Sequence, residues 1–319
     1  MNPLSELYGA GVRWRNGLYE SGRLSVHHLR APVVSVGSVS AGGAGKTPFL
    51  IRLGELLKER GIAFDVLSRG YGRKTKGVGL VDPAGSAHDF GDEPLLIARR
   101  LGVPVIVGED RYAAGLYAEG QFGMRAHLLD DGFQHRRLAR DFDIVLVTQR
   151  DLRDELLPAG RLREPLSSLA RASALVLMDD VPMEAVPLRE GQDVWRVRRG
   201  IVAPETAEAC FAFCGIARAE NFFADLGRAG VKVTGTRAFR DHHAYTAQDV
   251  EALYLQGQQS GATAFVTTEK DAVNLGEFTQ RLRPLQVVAV HMEFEGGTAA
   301  AMAQIVAVVQ QQNAVRVRE

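Results

Sequence analysis

The sequence predicts an α/β protein: a doubly wound, mostly parallel sheet, a second and smaller α/β lobe after it, and an amphipathic helix in front. Three observations predict this. Apolar runs of strand length alternate with helical patterns from residue 31 onward, which implies parallel pairing with right-handed crossovers. A glycine-rich loop separates the first such run from the first helix, as in P-loop NTPase-like sheets. After a looser stretch around residues 180–200 the alternation restarts at "CFAFCGI". The expected units are therefore an N-terminal helix over 1–30, a phosphate-loop core over 31–185 and the smaller lobe over 186–319.

Taken in order, the first element carries Leu4, Leu7, Tyr8, Val12, Trp14, Leu18 and Tyr19 at helical spacing, interleaved with Arg13, Arg15 and Arg23. Periodicity by itself fits a terminal helix packed on its own domain; aromatic and basic residues on one helix also suit a membrane interface. "PVVSVGSV" reads as a buried strand and "TPFLIRLGELLKERG" as a helix opened by Pro48 and closed by Gly61. "AFDVLSRGYGR" is a strand entering a glycine-rich loop, "GDEPLLIARRLG" a loop and helix, and "VPVIVGEDR" a strand. "AHLLDDGFQH" is a strand ending in acid, and "DFDIVLV" another strand. The turn-rich "LLPAGRLREPLSSLARA" leads to "ALVLMDD", a further apolar run. In the smaller lobe "ARAENFFADLGRAG" and "TAQDVEALYLQGQQSG" are helices. "VKVTGTRAF", "AFVTTEK" and "LQVVAVHMEF" are strands.

Composition narrows the class. The 319 residues are 46% hydrophobic and 24% charged, with a formal net charge of zero. That is an ordinary globular mix, without the basic excess of a general nucleic-acid binder. No secretory signal stands out, and no apolar run approaches the ~20 residues that span a bilayer. Cys210 and Cys214, spaced C-x3-C in an expected strand, share a face and read as core.

Chemistry concentrates in a few loops. In "SVGSVSAGGAGKTPF" the segment Ser40, Ala41, Gly42, Gly43, Ala44, Gly45, Lys46, Thr47 runs from strand into helix. Free backbone N–H groups there can wrap phosphate oxygens. Lys46 would reach the β- and γ-phosphates and the Thr47 hydroxyl a Mg²⁺ ion. Ser40 stands where such loops usually begin with glycine, which is acceptable if that position needs no positive φ. Asp130 and Asp131 follow an apolar strand, where acids support the metal; a D-G strand-end turn is the bland alternative. Asp92 and Glu93 precede a helix and can cap it; the two acid pairs together supply more carboxylates than capping needs, one or two for a metal and one to accept a proton from a hydroxyl. Asp241, His242 and His243 leave a strand of the second lobe, where a histidine can orient a base. Arg69, Arg73, Arg163 and Glu164 sit in loops suited to phosphate or sugar recognition.

Together these segments resemble one family closely, the tetraacyldisaccharide 4'-kinases. The likeness covers "LYGAGVRWRNGLYESG", "SVGSVSAGGAGKTP", "LSRGYGRK", "GDEP", "LLDDGFQHRRLARDFDIVLV", "LLPAGRLREP", "FCGIARAENFF", "FRDHHAY" and "TTEKDAV", nearly the whole chain in order. The resemblance implies transfer of the γ-phosphoryl of ATP, with Mg²⁺, to the 4'-hydroxyl of a tetraacylated glucosamine disaccharide 1-phosphate. The product would be lipid IVA, in lipid A biosynthesis. It implies Asp92 as base with His242 assisting, His243 being the alternative, and Thr47 and Glu93 at the metal with Asp130 and Asp131 in support. Arg69, Tyr71, His135 and Glu164 would line the cleft. The implied setting is peripheral, at the cytoplasmic face of the bacterial inner membrane, with no nucleic acid and no obligate protein partner. A substrate with four acyl chains shifts the first helix toward the interfacial reading. A regulatory phosphate-loop switch ATPase and a kinase of a soluble metabolite are the competing readings.

Overall fold

The computed structural model describes residues 2–178, 180–202 and 208–316. Helix α1 (Pro3–Glu20) leads into β1 (Val33–Ser38), α2 (Lys46–Glu59), β2 (Phe64–Ser68), β3 (Gly79–Leu80), α3 (Ala87–Phe90) and α4 (Asp92–Leu101). Next come β4 (Val105–Val107), α5 (Arg111–Phe122), β5 (Ala126–Asp130), β6 (Phe142–Val147), β7 (Ala174–Met178) and β8 (Asp193–Ile201). Then follow β9 (Cys210–Cys214), α6 (Ala219–Arg228), β10 (Val233–Ala238), α7 (Ala247–Gln259), β11 (Ala264–Thr268) and α8 (Glu269–Leu275). The last elements are β12 (Leu285–Val288), β13 (Val290–Phe294) and α9 (Thr298–Arg316).

The larger sheet has the order β13-β8-β7-β6-β1-β5-β2-β4-β3, parallel except for its two edge strands β13 and β3. Successive strand residues face opposite sides. Val34, Val66, Val105 and Leu128 meet Phe49, Leu53, Leu95 and Ile305 on the side covered by α2, α4 and α9. Val33, Leu67, Ile106 and Leu129 meet Ala114 and Ala118 of α5 on the other. Helices thus cover both faces, the doubly wound arrangement. The smaller sheet, β10-β9-β11-β12, is parallel throughout. Cys210 and Cys214 share one of its faces with Phe222 and Leu226 of α6, while Phe211 and Phe213 pack with Val250 and Leu253 on the α7 side.

The division of the chain differs from the linear one. The loose stretch after residue 180 contains β8, a nine-residue strand in which Trp195 and Val197 are buried and Arg198 is exposed. Its arginines blur the strand pattern in the sequence. "LQVVAVHMEF" is two strands: β12 pairs in parallel with β11, and after Ala289 the chain pairs as β13 antiparallel to β8 in the larger sheet. The residue 185/186 boundary therefore falls between two paired strands of one sheet, and α9 returns to the larger core. Two connections, β8 to β9 and β12 to β13, join the lobes.

Among the described residues, no helix is long and apolar enough to cross a membrane. Helix α1 packs only partly through its apolar residues, with Tyr8, Val12, Leu18 and Tyr19 half-buried. Ser5, Gly9 and Asn16 are buried, while Leu4, Leu7 and Trp14 are exposed.

Candidate active site

The phosphate-type loop joins β1 to α2 at the carboxyl end of the parallel strands, where ligands enter open α/β sheets. Its left-handed residues are Gly42, Gly43 and Gly45, with φ of 70°, 72° and 83°. Ser40 is not among the positive-φ residues, so serine in place of glycine there carries no backbone strain. The glycines also clear space. A Cβ on Gly45 would lie 2.5 Å from Met292 Cε, and one on Gly43 3.0 Å from Arg218 Nε. Arg161 braces the loop through two bonds to the Ala41 carbonyl, 2.7 and 3.0 Å. Helix α2 starts at Lys46 with no side-chain cap, leaving its first N–H groups open to an anion.

Two acids stand beside the loop. Asp130 ends β5 in register with Val36 of β1, and Ser68 at the end of β2 donates to it at 2.8 Å. Burial first, then the neighbouring Glu93 and Asp131 carboxylates, push its pKa up. Its Oδ1 is buried without a partner. Asp131 adopts φ 48°, one of two described non-glycine residues with positive φ. The Arg163 guanidinium grips it with a fork of 2.7 and 2.8 Å, and Lys46 Nζ lies 3.6 Å away. Burial raises the Asp131 carboxyl, but Lys46 and Arg163 outweigh it and hold it below the usual range. An orphaned carboxylate oxygen among mutually repelling acids is what a hard cation would relieve. Oxygen donors from Thr47, Glu93, Asp130 and Asp131 line one cavity and fit Mg²⁺. Among the described residues no three His, Cys, Asp or Glu side chains could hold a metal alone. Magnesium commonly takes the rest of its shell from substrate phosphates and water.

The other lobe supplies the facing wall. The loop after β10 and the start of α8 directly after β11 also leave the carboxyl end of their sheet, so the two sheets present their chemistry to one cleft of about 1580 Å³. Asp92 opens α4 after Gly91, whose φ of 89° and approach to the Tyr71 carbonyl exclude a side chain. His242 Nδ1 lies 2.9 and 3.0 Å from its two oxygens, across 150 residues of sequence. His242 is the second positive-φ residue, at 58°, and strain of this kind clusters at functional sites. Burial would push Asp92 up; donors from His242, Lys270 and Asn274 prevail and hold it at about 2. The same bond raises His242, against burial and Lys270. The adjacent histidine goes elsewhere. His243 Nε2 meets Asp249 of the α7 cap at 3.1 Å, and its ring stacks on Phe239.

Arg69 and Tyr71 line the cleft, the Tyr71 ring 5.5 Å from that of His242. His135 lines it too. Burial, with Arg111 close by, lowers this ring to about 4, and its buried Nε2 has no partner. Glu164 departs from expectation. It is fully buried outside the cleft lining, and its carboxylate is bonded to Asn16 Nδ2 at 2.9 Å and Arg171 at 2.7 and 3.2 Å. It anchors α1. Arg73 is likewise withdrawn, bonded to Glu109 at 3.0 Å. Sequence reasoning attached no role to Lys270, inside "TTEKDAV", or to Asn274 just after it, both on α8. Nor did it identify the inward face of α1, where Ser5 bonds the Leu156 carbonyl and Tyr8 that of Arg163.

A family model described as tetraacyldisaccharide-1-P 4'-kinase matches residues 1–310. A tetraacyldisaccharide 4'-kinase of Koribacter versatilis is 50% identical over 310 residues, covering 94% of this chain and 96% of the relative. One from Aquifex aeolicus is 38% identical, covering 86% and 88%. The solved structure of LpxK from Aquifex aeolicus in complex with ATP superposes with a TM-score of 0.77 at 33% identity, covering 96% of this chain and 97% of that one.

Proposed function

The chain belongs to the tetraacyldisaccharide-1-P 4'-kinase family, and from that premise we propose how its cleft carries out the reaction. It transfers the γ-phosphoryl of ATP to the 4'-hydroxyl of a tetraacylated disaccharide 1-phosphate, a step of lipid A biosynthesis. ATP supplies the phosphoryl group, and a bound Mg²⁺ would neutralise charge on it. Residues 40–47 hold the triphosphate with backbone amides and the Lys46 ammonium. Thr47 and Glu93, with Asp130 and Asp131, would hold the metal. Asp92 accepts the proton of the sugar hydroxyl. A carboxylate at about 2 stays ionised at every working pH, and phosphoryl transfer asks more for positioning and charge neutralisation than for a strong base. His242 orients that carboxylate.

The observation that carries this reading is the Asp92–His242 pair, closed across the two lobes at 2.9 Å on the wall facing the glycine loop. Arg69, Tyr71 and His135 are assigned to the acceptor, since they line the same cleft. Membrane attachment is peripheral in this reading. It is supported by the outward Leu4, Leu7 and Trp14 of α1, by an acceptor that stays in the bilayer, and by the need for ATP, which favours the cytoplasmic face. The test is incubation with radiolabelled ATP and a lipid extract. Label is expected in a chloroform-soluble glycolipid. Asp92→Ala should lose about 10²- to 10⁴-fold in kcat, the usual contribution of general-base catalysis, with ATP affinity unchanged. Label in a water-soluble product, or full turnover by Asp92→Ala, would overturn the assignment.

A further inference from the structure

We propose that Lys270 and Asn274 on α8 are positioning residues for the transfer, aiming the Asp92 carboxylate when the smaller lobe lies against the larger; this rests on the reading of Asp92 as base. Among the described residues, apart from the Glu93 amide at 2.9 Å, the groups that hold Asp92 come from the smaller lobe. They are His242, Asn274 Nδ2 at 3.1 Å and Lys270 Nζ at 3.7 Å. Lys270 and Asn274 are four residues apart and so share one helix face. That face lies on α4, in a register fixed by Arg100, which bonds Glu269 at 2.6 Å and Glu55 at 3.2 Å.

Helix α8 is itself held rigidly. Buried Asp271 accepts from the Gly215 amide at 2.6 Å, Tyr245 Oη at 2.8 Å and Thr268 Oγ1 at 2.5 Å. Lys270 gathers the remaining acids and the histidine. Its Nζ is 2.9 Å from Asp241 Oδ1, 3.3 Å from His242 Nε2 and 3.6 Å from Glu93 Oε1. The ammonium thus connects the loop carrying His242 to the first turn of α4. Without it, the Asp92, Glu93 and Asp241 carboxylates converge on one small space with only the imidazole and neutral amide donors beside them. Without Asn274, the Oδ2 side of Asp92 keeps only the imidazole and the longer ammonium contact. A misplacement of about 1 Å can cost about 10²-fold in rate.

The experiment uses the full chain with Asn274→Ala, Lys270→Met and Lys270→Arg, each also combined with Asp92→Ala. It measures kcat and KM for ATP on the lipid acceptor, and thermal melting. Asn274→Ala and Lys270→Met are expected to lower kcat about 10- to 100-fold with KM for ATP within about twofold. Lys270→Arg should recover most of the rate. In the Asp92→Ala background neither change should cost more, the non-additivity of residues that act through one group. Wild-type kcat in both single variants, an equal loss in the Asp92→Ala background, or a rise confined to KM for ATP overturns the proposal. If Lys270→Met does not melt cooperatively, Asn274→Ala and Lys270→Arg decide the matter. Full turnover by Asp92→Ala alone would instead remove the base reading, so the two failures are distinguishable.

Discussion

Replacing Leu4, Leu7 and Trp14 together by serine tests the outward face of α1 without disturbing what the helix does inside. These side chains are 62%, 72% and 72% exposed, so their removal takes little packing from the fold, and surface changes of this kind stay within about 0.5 kcal/mol. Their transfer to an apolar phase is another matter. Scaling full burial by those exposures gives each leucine about 1–2 kcal/mol. Trp14 adds about 3.6 kcal/mol, from roughly 200 Å² at about 25 cal/mol per Å² scaled by its 72% exposure. Interfacial helices bury their apolar face only partway, so about half of that total is realised, and at 1.4 kcal/mol per tenfold the partition falls about 10²-fold. The assay is co-sedimentation with anionic liposomes, with melting and turnover on detergent-dispersed acceptor as controls. Loss of sedimentation with both controls unchanged is the expected outcome. Sedimentation equal to wild type would refute the membrane role of this face. Deleting α1 is a poorer test, because it also removes Asn16 from the buried Glu164 carboxylate.

Glu164→Ala should destabilise the protein by about 3–5 kcal/mol, the usual result of stripping the partner from a buried charge, here Arg171; an unchanged thermal melt would show that Glu164 is not the anchor of α1. The buried His127 gives a pH prediction. Burial lowers its pKa, but Asp65 at 2.8 Å and Glu119 at 3.5 Å outweigh this and raise it to about 9. A raised histidine stabilises fully below its unfolded value near 6.5, and that contribution is lost as pH rises through about 9. Denaturant titrations should therefore show stability falling by a few kcal/mol, on the order of 1–3, across that window. Because His127→Gln removes the titrating group, it should flatten the curve; an equally steep decline in that variant would place its origin elsewhere.

What could be read along the chain was whatever a few consecutive residues decide. The glycine loop is legible because positive φ at Gly42, Gly43 and Gly45 is a property of those residues. The shared face of Cys210 and Cys214 follows from the two-residue period of a strand, and α2 and α4 from their apolar spacing. The family resemblance rested on the same short segments in order. Less was legible where local signals conflict with distant partners. The arginines of β8 hid a strand that is defined by its pairing with β7 and β13.

Tertiary structure alone decided which neighbour each side chain meets. It sends His242 to Asp92 and His243 to the α7 cap, although the two are adjacent and chemically alike. It buries Glu164 against Asn16, 148 residues away, and brings Asn274 to Asp92 across 182. It turns Ser5 and Asn16 of α1 inward and leaves Leu4, Leu7 and Trp14 facing out. The physical reason is one of range. Backbone conformation and periodicity are fixed within a turn or two of chain, whereas an ion pair or a buried hydrogen bond depends on where a remote backbone puts the other partner.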